Sequence, residues 1–496
     1  MRSPVLRRIL TAALLLAAAC SAAGCRKADE GTSRVVVIGD TPPKLVDPAS
    51  GPLGQPEAVL LHNVAQGLVR FDAAGQIVPG IAERWNVTDD GLAYIFRLEA
   101  GEWPDGRKIT AEQVARTLRR QIARSSKNPM KDTLGAVDRI VAMTDRVIEI
   151  SLKAPRPNLL QILAQPEFAL VYQEQGAGPF RFAQDGKTGE EANLVRSVTD
   201  EEQDGSRLED VRLAAAEAPI AVRAFVQNKA DLVLGGTYGD LPYALAHELP
   251  RNALRFDPAI GLFGLVPARA DGPLSEAEFR RLLSEAIDRQ AMIDALNVPG
   301  LLPRATVLEP GLDGVPDPAA PEWMATPVAE RRAALAAAAA TQFGELERPT
   351  LRIALPDEPG ARIVLNRLAS DWGALGIKVE AADSDSKADL RLVDEVAPST
   401  SPAWYLRQFR CGQVAICDPE ADKIMEGARA ATITAQRNAL LAQAARLIDE
   451  QQLFIALAAP IRWSLVSSRM EGFATNRFAR HTLTGLGERL ERQRNE

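Results

Sequence analysis

The chain has 496 residues, more than a single hydrophobic core usually serves, and this length predicts two or three domains. Its formal net charge is −7 and its Lys and Arg residues are scattered, so there is no basic stripe and nucleic acid is excluded as the main partner. The only histidines are His62, His247 and His481, and the chain lacks Gly-x-Ser-x-Gly and His-Glu-x-x-His motifs. Hydrolytic triads and zinc sites need such parts, so we expect neither an enzyme nor a metal or other cofactor.

Residues 1–25 have the pattern of an export signal. Arg2, Arg7 and Arg8 form a positively charged start, and the run 9–19 that follows is apolar but too short to span a bilayer. We therefore expect this signal peptide to be absent from the mature protein.

Two cysteines lie where a lipid-carrying cysteine would follow cleavage. Cys20 follows three alanines and Cys25 follows Ala-Ala-Gly, so each junction resembles a bacterial lipobox. If Cys25 carries the lipid, Cys20 is discarded and the remaining cysteines, Cys411 and Cys417, can pair; if Cys20 carries it, Cys25 is left over. We predict lipidation at Cys25, with Cys20 and an ordinary signal peptide as the alternatives.

The stretch 78–114 contains turn, strand and helix signals in close succession. Asp90-Gly91 supplies the positive φ of a tight hairpin, and a strand with alternating apolar residues follows. Thr110 and Gln113 are spaced as a capping box, which predicts a helix over about 111–123.

Turn residues, two tryptophans and this helix start occur together in and before the same stretch. They are Gly67-Leu68, Asp72, Gly75, Pro79, Ala82-Glu83, Trp85, Asp90-Gly91, Tyr94, Phe96, Leu98, Trp103, Asp105-Gly106, Thr110-Ala111 and Val114. In this combination they resemble the N-terminal signature of the bacterial extracellular solute-binding proteins of family 5, the dipeptide- and oligopeptide-binding type. The resemblance implies an α/β protein with a two-lobed, periplasmic-binding-protein-like (class II) fold, an inserted subdomain in the first lobe and a central ligand cleft.

Later elements agree with two lobes. Ser275 and Glu278 are spaced as a second capping box, and they precede a helix with a continuous apolar face. Strand, helix and strand patterns in 351–379 indicate a parallel βαβ unit. The predicted divisions are a first lobe at 33–265 with an inserted subdomain at about 62–167, a second lobe at 266–469, and a return to the first lobe at 470–496.

Cys411 and Cys417 have five residues between them. An exported protein lies in an oxidising compartment, so we predict that these two cysteines form a disulfide. The alternative, metal ligation, would need a second pair of ligands that the sequence lacks.

The resemblance also implies where a ligand would bind. In peptide-binding members an aspartate of a second-lobe loop, within an Asp-x-x-Asp-Pro pattern, pairs with the peptide ammonium, while backbone groups hold the peptide as an added strand. The corresponding loop here is 392–406, whose position matches and whose pattern does not. Asp394 and Glu395 are its candidate anionic groups, with Asp394 the predicted anchor and a solvated or helix-capping acid the alternative.

Two aromatic residues and one first-lobe segment complete the candidate site. Trp404 and Tyr405 are plausible cleft aromatics, although packing in the core or in the loop is the alternative for both. The first lobe would supply backbone groups near 40–45 and at the strand end Gly235 to Thr237, which includes Gly236.

The function that the resemblance implies is that of a receptor in the periplasm or cell envelope. Such a receptor, here a monomer anchored to the membrane by lipid, hands a short peptide to the membrane permease of an ATP-driven (ABC) importer. Two alternatives stay open: the same scaffold binding a non-peptide small solute, and a sensor or assembly protein that has lost the transport role.

Overall fold

The computed structural model describes residues 31–187, 190–200, 205–343, 349–382 and 387–488. The predicted signal peptide and both candidate lipid-carrying cysteines, Cys20 and Cys25, therefore lie outside the described residues. Within those ranges, no helix is long and apolar enough to cross a membrane.

The strands, in chain order, are β1 Thr32–Ile38, β2 Val69–Phe71, β3 Ile77–Pro79, β4 Ala82–Val87, β5 Ala93–Leu98, β6 Val137–Thr144, β7 Val147–Leu152, β8 Val171–Tyr172, β9 Gln175–Gly176, β10 Arg181–Lys187, β11 Glu191–Asp200, β12 Gly205–Ala216, β13 Leu232–Thr237, β14 Leu254–Phe256, β15 Gly261–Pro267, β16 Thr350–Ala354, β17 Lys378–Ala381, β18 Leu390–Val396, β19 Ile455–Ala458, β20 Arg462–Val466, β21 Met470–Glu471 and β22 Gly487–Glu488.

The α-helices are α1 Gln55–Val64, α2 Ala111–Gln121, α3 Leu159–Leu163, α4 Ala218–Val226, α5 Leu241–Leu245, α6 Ala277–Ala286, α7 Arg289–Leu296, α8 Val328–Phe343, α9 Pro359–Gly373, α10 Pro402–Arg407, α11 Pro419–Ala430 and α12 Thr434–Glu450. Short 3-10 turns lie at Pro48–Ser50, Lys131–Leu134, Pro166–Phe168, Gly272–Ser275 and Glu322–Ala325.

The first lobe is organised by a seven-stranded sheet in the order β10-β11-β12-β1-β13-β20-β14. β1 lies inside this sheet and runs parallel to both of its neighbours, β12 and β13. Its residues alternate along most of the strand between partly and fully buried, with Val35 and Val37 in the core, as expected for a β-strand whose successive side chains point to opposite faces.

The inserted subdomain contains a separate antiparallel sheet in the order β4-β5-β7-β6, with α2 packed beside it. Gly91 has a φ of +67° in the turn between β4 and β5, so the predicted hairpin is confirmed. The capping box is confirmed too: the Thr110 N–H donates to the Gln113 side chain at 3.0 Å, and the Gln113 N–H donates to the Thr110 hydroxyl at 3.4 Å. The helix ends at Gln121, two residues before the predicted Ala123.

The second lobe is organised by a five-stranded sheet in the order β17-β16-β18-β15-β19. β16 pairs in parallel with β17, and α9 connects them, so the predicted βαβ unit is confirmed. β15 lies between β18 and β19, antiparallel to both, and all seven of its residues are buried.

The second predicted capping box does not form. Ser275 ends a 3-10 turn, and its hydroxyl donates to the carbonyl of Gly272 at 2.8 Å. The helix α6 begins two residues later, and its N-cap residue, Glu276, makes no capping hydrogen bond with its side chain. The local turn uses the serine hydroxyl, so it is not available to the helix.

The chain passes between the two sheets twice, first through 257–260 and then through 459–461. The first lobe was predicted to end at 265, yet β15 already pairs with second-lobe strands from residue 261. The return was predicted at 470, yet β20 already pairs with β13 and β14 from residue 462. Both crossings are short, and they fall between strands that are apolar on either side, so hydropathy alone does not mark them.

Cys411 and Cys417 are joined by a disulfide with a Cα–Cα distance of 5.1 Å. The bridge closes a small loop between α10 and α11. The backbone N–H of Cys411 also donates to the Asp422 carboxylate at 2.9 Å, which ties this loop to α11.

Candidate functional site

A cavity of about 450 Å³ lies between the two lobes. Its walls come from the end of β13 in the first lobe, from the end of β18 and from α10 in the second lobe, from the start of β20, and from the C-terminal segment 478–481. A concave space of this size between two lobes is typical of a small-ligand site. We therefore take this cavity as the candidate ligand cleft.

Most of the residues predicted to contact a ligand come together here. Those that line the cleft are Asp394, Glu395, Trp404, Gly235 and Gly236. They come from two lobes and from positions far apart in the chain, so the fold brings together what the resemblance implied. The remaining two, Tyr405 and Thr237, do not line the cleft.

Asp394 already has a partner. The Nη1 of Arg462 donates to both carboxylate oxygens of Asp394, at 2.8 and 2.9 Å, and Nη2 donates to its backbone carbonyl at 3.1 Å. The two side chains are only 14% and 12% exposed. Burial raises the pKa of Asp394, and Arg462 opposes this rise. The predicted anchor for a ligand cation is thus neutralised by the protein itself.

Glu395 differs from its neighbour in this respect. Glu395 is exposed, and its carboxylate forms no hydrogen bond or ion pair with any residue that the structure describes. Desolvation by the surrounding protein raises the pKa of Glu395. Arg391 and Arg462 oppose this rise, and Asp394 adds to it. A carboxylate in this setting gains from a bound cation, which Asp394 does not need.

Tyr405 is completely buried, and its hydroxyl donates to the carboxylate of Glu309. Burial, with Glu309 beside it, raises the pKa of Tyr405. Its partner in sequence, Trp404, is only partly buried and meets the Tyr405 ring edge-on at 5.0 Å between centroids. The packing interpretation therefore holds for Tyr405, because helix α10 presents the two aromatic rings in different directions.

Thr237 has a structural role at the end of β13. Its hydroxyl donates to Asp240 at 3.0 Å, and its carbonyl accepts the indole N–H of Trp463 at 2.7 Å. Trp463 is buried and forms part of the cleft wall. Thr237 thus supports the wall from behind and does not face the ligand space.

The two glycines shape the wall that Trp463 completes. A β-carbon on Gly236 would lie 2.2 Å from the Trp463 ring, which is far inside contact distance. Gly235 has a φ of +87°, a conformation that other residues rarely adopt. These positions let the backbone of β13 approach the cleft closely.

Sequence reasoning missed several charged groups of the cleft. Arg462 is one of these groups. Arg480 is another, and its guanidinium donates to the Glu167 carboxylate at 3.1 Å. His481 has its Nε2 at 3.1 Å from Asp257. They lie on β20, on the first crossing segment and in the C-terminal segment, where the sequence has no motif. The position of Arg462 at the start of a buried strand is the one local signal, and many arginines share it.

The loop that should carry the Asp-x-x-Asp-Pro pattern has no aspartate at either position. Counted back from Pro402, the two places are occupied by Pro398 and Ser401. The carbonyl of Pro398 accepts from the Gln165 side chain at 2.8 Å, so this loop also contacts the inserted subdomain. Among the described residues, no group of three or more Asp, Glu, His or Cys side chains is arranged to hold a metal ion.

Relatives of the chain include peptide-binding proteins. It is 24% identical over 473 residues to "Probable di/tripeptide-binding protein 5" of Pseudomonas aeruginosa, covering 83% of this chain and 88% of the relative. It is 22% identical to "Di/tripeptide-binding protein 1" of the same species, covering 96% of this chain and 98% of the relative.

Solved structures share the fold. Haemophilus influenzae OppA, in a complex with RPPGFSPFR, superposes with a TM-score of 0.75 at 17% identity and covers 92% of this chain and 99% of its own. The Escherichia coli murein tripeptide binding protein MppA gives a TM-score of 0.75 at 19% identity, with 91% and 97% covered.

The model of the protein family described as "Bacterial extracellular solute-binding proteins, family 5 Middle" matches residues 76–408. This match extends over most of the chain, from the inserted subdomain into α10 and past the loop beside the cleft. The chain therefore belongs to the bacterial extracellular solute-binding proteins of family 5.

Proposed function

We propose that this protein is the solute-binding receptor of an ATP-driven importer and that its ligands are short peptides. Relatives that match nearly the whole chain are named di/tripeptide-binding proteins, and this supports the proposal. Binding with closure of two lobes around a solute is the mode of action that a cleft of this kind permits. Family membership supports a binding protein over an enzyme.

One observation carries the peptide assignment: the cleft presents unpaired groups of both signs. Glu395 lines it as a carboxylate without a partner, and Arg410 lines it as a guanidinium without an ion pair to any described residue. A short peptide is a zwitterion and needs one group of each kind. In this arrangement Glu395 replaces Asp394 as the acceptor of the ligand ammonium.

Calorimetry with dipeptides to pentapeptides tests the proposal. The mature protein, freed of any co-purified ligand, should bind at least one length class, and mass spectrometry of the released ligand should find peptides. Failure to bind peptides of any of these lengths would contradict the peptide assignment.

A second candidate is a non-peptide solute on the same scaffold. It is favoured by one observation, the occupation of the Asp-x-x-Asp-Pro positions by Pro398 and Ser401. A released ligand without peptide bonds would identify this case, and an empty cleft that binds no solute would favour a sensor or assembly role.

We also propose that the mature receptor works outside the cytoplasmic membrane as a monomer held by lipid on Cys25. The charged start, the short apolar run and the Ala-Ala-Gly-Cys junction support this. The mass of the intact protein from the membrane fraction should correspond to a lipidated chain that begins at Cys25. A chain that begins at Cys20, or an unmodified N-terminus, would contradict it.

A further inference from the structure

A second cavity of about 330 Å³ lies beside the cleft. It is enclosed by the inserted subdomain on one side and by α10, α11 and α12 of the second lobe on the other. Trp404, Arg407 and Arg410 line both cavities, so the two spaces are neighbours across these side chains. We call the second cavity the arginine pocket.

Five arginines line this pocket: Arg156, Arg407, Arg410, Arg429 and Arg437. None of the five has an ion pair with a carboxylate in the part of the chain that the structure describes. Three acids also line the pocket, Asp132, Asp422 and Glu426, and one of them, Asp422, already accepts a backbone hydrogen bond from Cys411. Positive charge therefore exceeds negative charge in this partly open space.

Arg437 is the most deeply buried of the five, at 6% exposure. Its nearest partners are neutral and distant: the Ser401 hydroxyl and the Asn438 side-chain oxygen, each at 3.4 Å. Burial lowers the pKa of Arg437. A buried cation without an anion is costly, because two weak neutral bonds do not replace its hydration.

Arg156 is held in place by two carbonyl groups. Its Nη1 donates to the Pro155 carbonyl at 2.8 Å, and its Nη2 donates to the Arg429 carbonyl at 3.0 Å. The second of these bonds links the inserted subdomain to the second lobe. Burial, together with Arg437 and Arg429 nearby, lowers the pKa of Arg156 to about 10. The guanidinium groups repel one another, and an anion between them would turn this repulsion into attraction.

The rest of the lining is mostly apolar. Leu134, Leu159 and Ile162 come from the subdomain, and Met425 and Leu441 come from the second lobe. A small inorganic anion would leave these surfaces without contact. An apolar group that ends in an anion would satisfy both parts of the lining.

We propose that the arginine pocket is a second binding subsite, which takes a carboxylate on a short apolar stem. Arg437 and Arg156 bind the carboxylate, Arg407 and Arg410 lie at the passage to the cleft, and the leucine and isoleucine side chains contact the stem. Two sources of this chemistry fit, an acidic side chain of a peptide in the cleft and a free acyl acid. The first source rests on the proposed function, whereas the second does not.

The test compares hexanoate with hexanamide, which differ in charge and share the stem. Calorimetry on the mature protein, with any co-purified ligand removed, should show that hexanoate binds and that hexanamide binds at least about tenfold more weakly, since the amide cannot pair with a guanidinium. Arg437→Gln and Arg156→Gln should each lower the affinity for hexanoate by about tenfold or more, because these two residues bind the carboxylate. Arg156 is only partly buried, so its variant keeps the test valid where Arg437→Gln fails to fold.

Arg116→Gln is the matched control, because Arg116 is exposed on α2 and lies outside both cavities. This variant should bind hexanoate as the wild type does. Three results would overturn the proposal: equal binding of acid and amide, absence of hexanoate binding by the wild type, or an unchanged affinity in Arg156→Gln.

A comparison of the affinities for the peptides Ala-Ala-Glu and Ala-Ala-Gln decides which source supplies the carboxylate. Preference for the glutamate peptide, lost in Arg156→Gln, supports the side-chain source, and equal binding of the two peptides supports the free acid. If the protein binds no peptide, the proposed function fails, while the hexanoate comparison still decides the subsite.

Discussion

The neighbouring acids Asp394 and Glu395 show how one residue position changes the function of a carboxylate. Both were candidates for contacting a ligand cation, and both line the cleft. The resemblance placed them in the right part of the second lobe, although both lie at the end of β18 and not in a loop. It could not show that Arg462 binds one of them, since that arginine lies in another strand, on the other lobe.

Exchanging each acid for its amide should separate a ligand contact from an internal one. Glu395→Gln should weaken peptide binding by about tenfold or more, because it removes an unpaired charge that a ligand ammonium would meet. Asp394→Asn should instead lower the free energy of unfolding by roughly 2 kcal/mol, because it leaves Arg462 without its anion. Calorimetry and denaturant unfolding measure the two effects, and Glu278→Gln, an exposed acid on α6, serves as the control. The reverse order of effects on binding would restore Asp394 as the anchor.

Gly236 offers a second test at the scale of one residue. Gly236→Ala places a methyl group against the buried Trp463 ring, and we expect a loss of about 1–3 kcal/mol in the free energy of unfolding and weaker ligand binding. Gly373→Ala is the matched control: no atom lies within 4 Å of its added β-carbon, and it ends helix α9. Alanine favours a helix, so this variant should be neutral or slightly stabilising. A Gly236→Ala protein as stable as Gly373→Ala would show that the wall adjusts easily.

At the scale of elements, the sequence predicted best where the signal was local. The capping box of α2 and the hairpin between β4 and β5 depend on residues a few positions apart, and both form. The box expected at Ser275 and Glu278 has the same spacing but fails, because a 3-10 turn before α6 uses the serine hydroxyl. Spacing alone therefore cannot rank two competing local structures that use one side chain.

The loop that Cys411 and Cys417 close is a third testable element. Thiol titration of the unfolded, unreduced mature protein should find no free thiol from this pair. Cys411→Ser with Cys417→Ser should lower the free energy of unfolding by about 2 kcal/mol, the entropy expected for closing such a short loop. Wild-type protein unfolded in the presence of a reductant should then match the double variant. Two titratable thiols in the unreduced protein would contradict the prediction.

At the scale of the whole molecule, the resemblance predicted two lobes with an inserted subdomain, and the sheets agree. The predicted crossing points between the lobes lie several residues beyond the observed ones, because the sequence of an apolar strand does not show which sheet the strand joins. The arginine pocket was out of reach for a different reason: its five arginines come from the subdomain, from three helices of the second lobe and from the loop after α10. Only the packing of the subdomain against that lobe brings them together.

Global stability should also depend on pH through His62. Its Nε2 lies 3.2 Å from the carbonyl of Phe71, and burial lowers the pKa of His62 from 6.5 to about 4. The unfolded chain takes up a proton below pH 6.5 while the folded imidazole stays neutral, so stability present above 6.5 is lost as the pH falls to about 4, by up to about 3 kcal/mol.

Denaturant unfolding between about pH 7 and about pH 4.5 should therefore show a smaller loss of stability in His62→Asn than in the wild type. His247→Asn provides the control, because His247 is exposed in the turn after α5. Wild-type and His62→Asn proteins with the same pH dependence would assign the effect to other groups.

The position of β20 in the first-lobe sheet has a consequence for the order in which the chain can fold. β14 pairs only with β20 among the strands of that sheet, and β20 comes from residues 462–466, near the end of the chain. A polypeptide that emerges N-terminus first completes β13 and β14 long before β20, the strand that lies between them, exists, whereas every strand of the second-lobe sheet is complete by residue 458. Pairing between such distant segments is slow, because a long loop must close first. The lobe that begins the chain should therefore be the last to be finished, and a chain cut before residue 462 should hold a folded second lobe beside an incomplete first one.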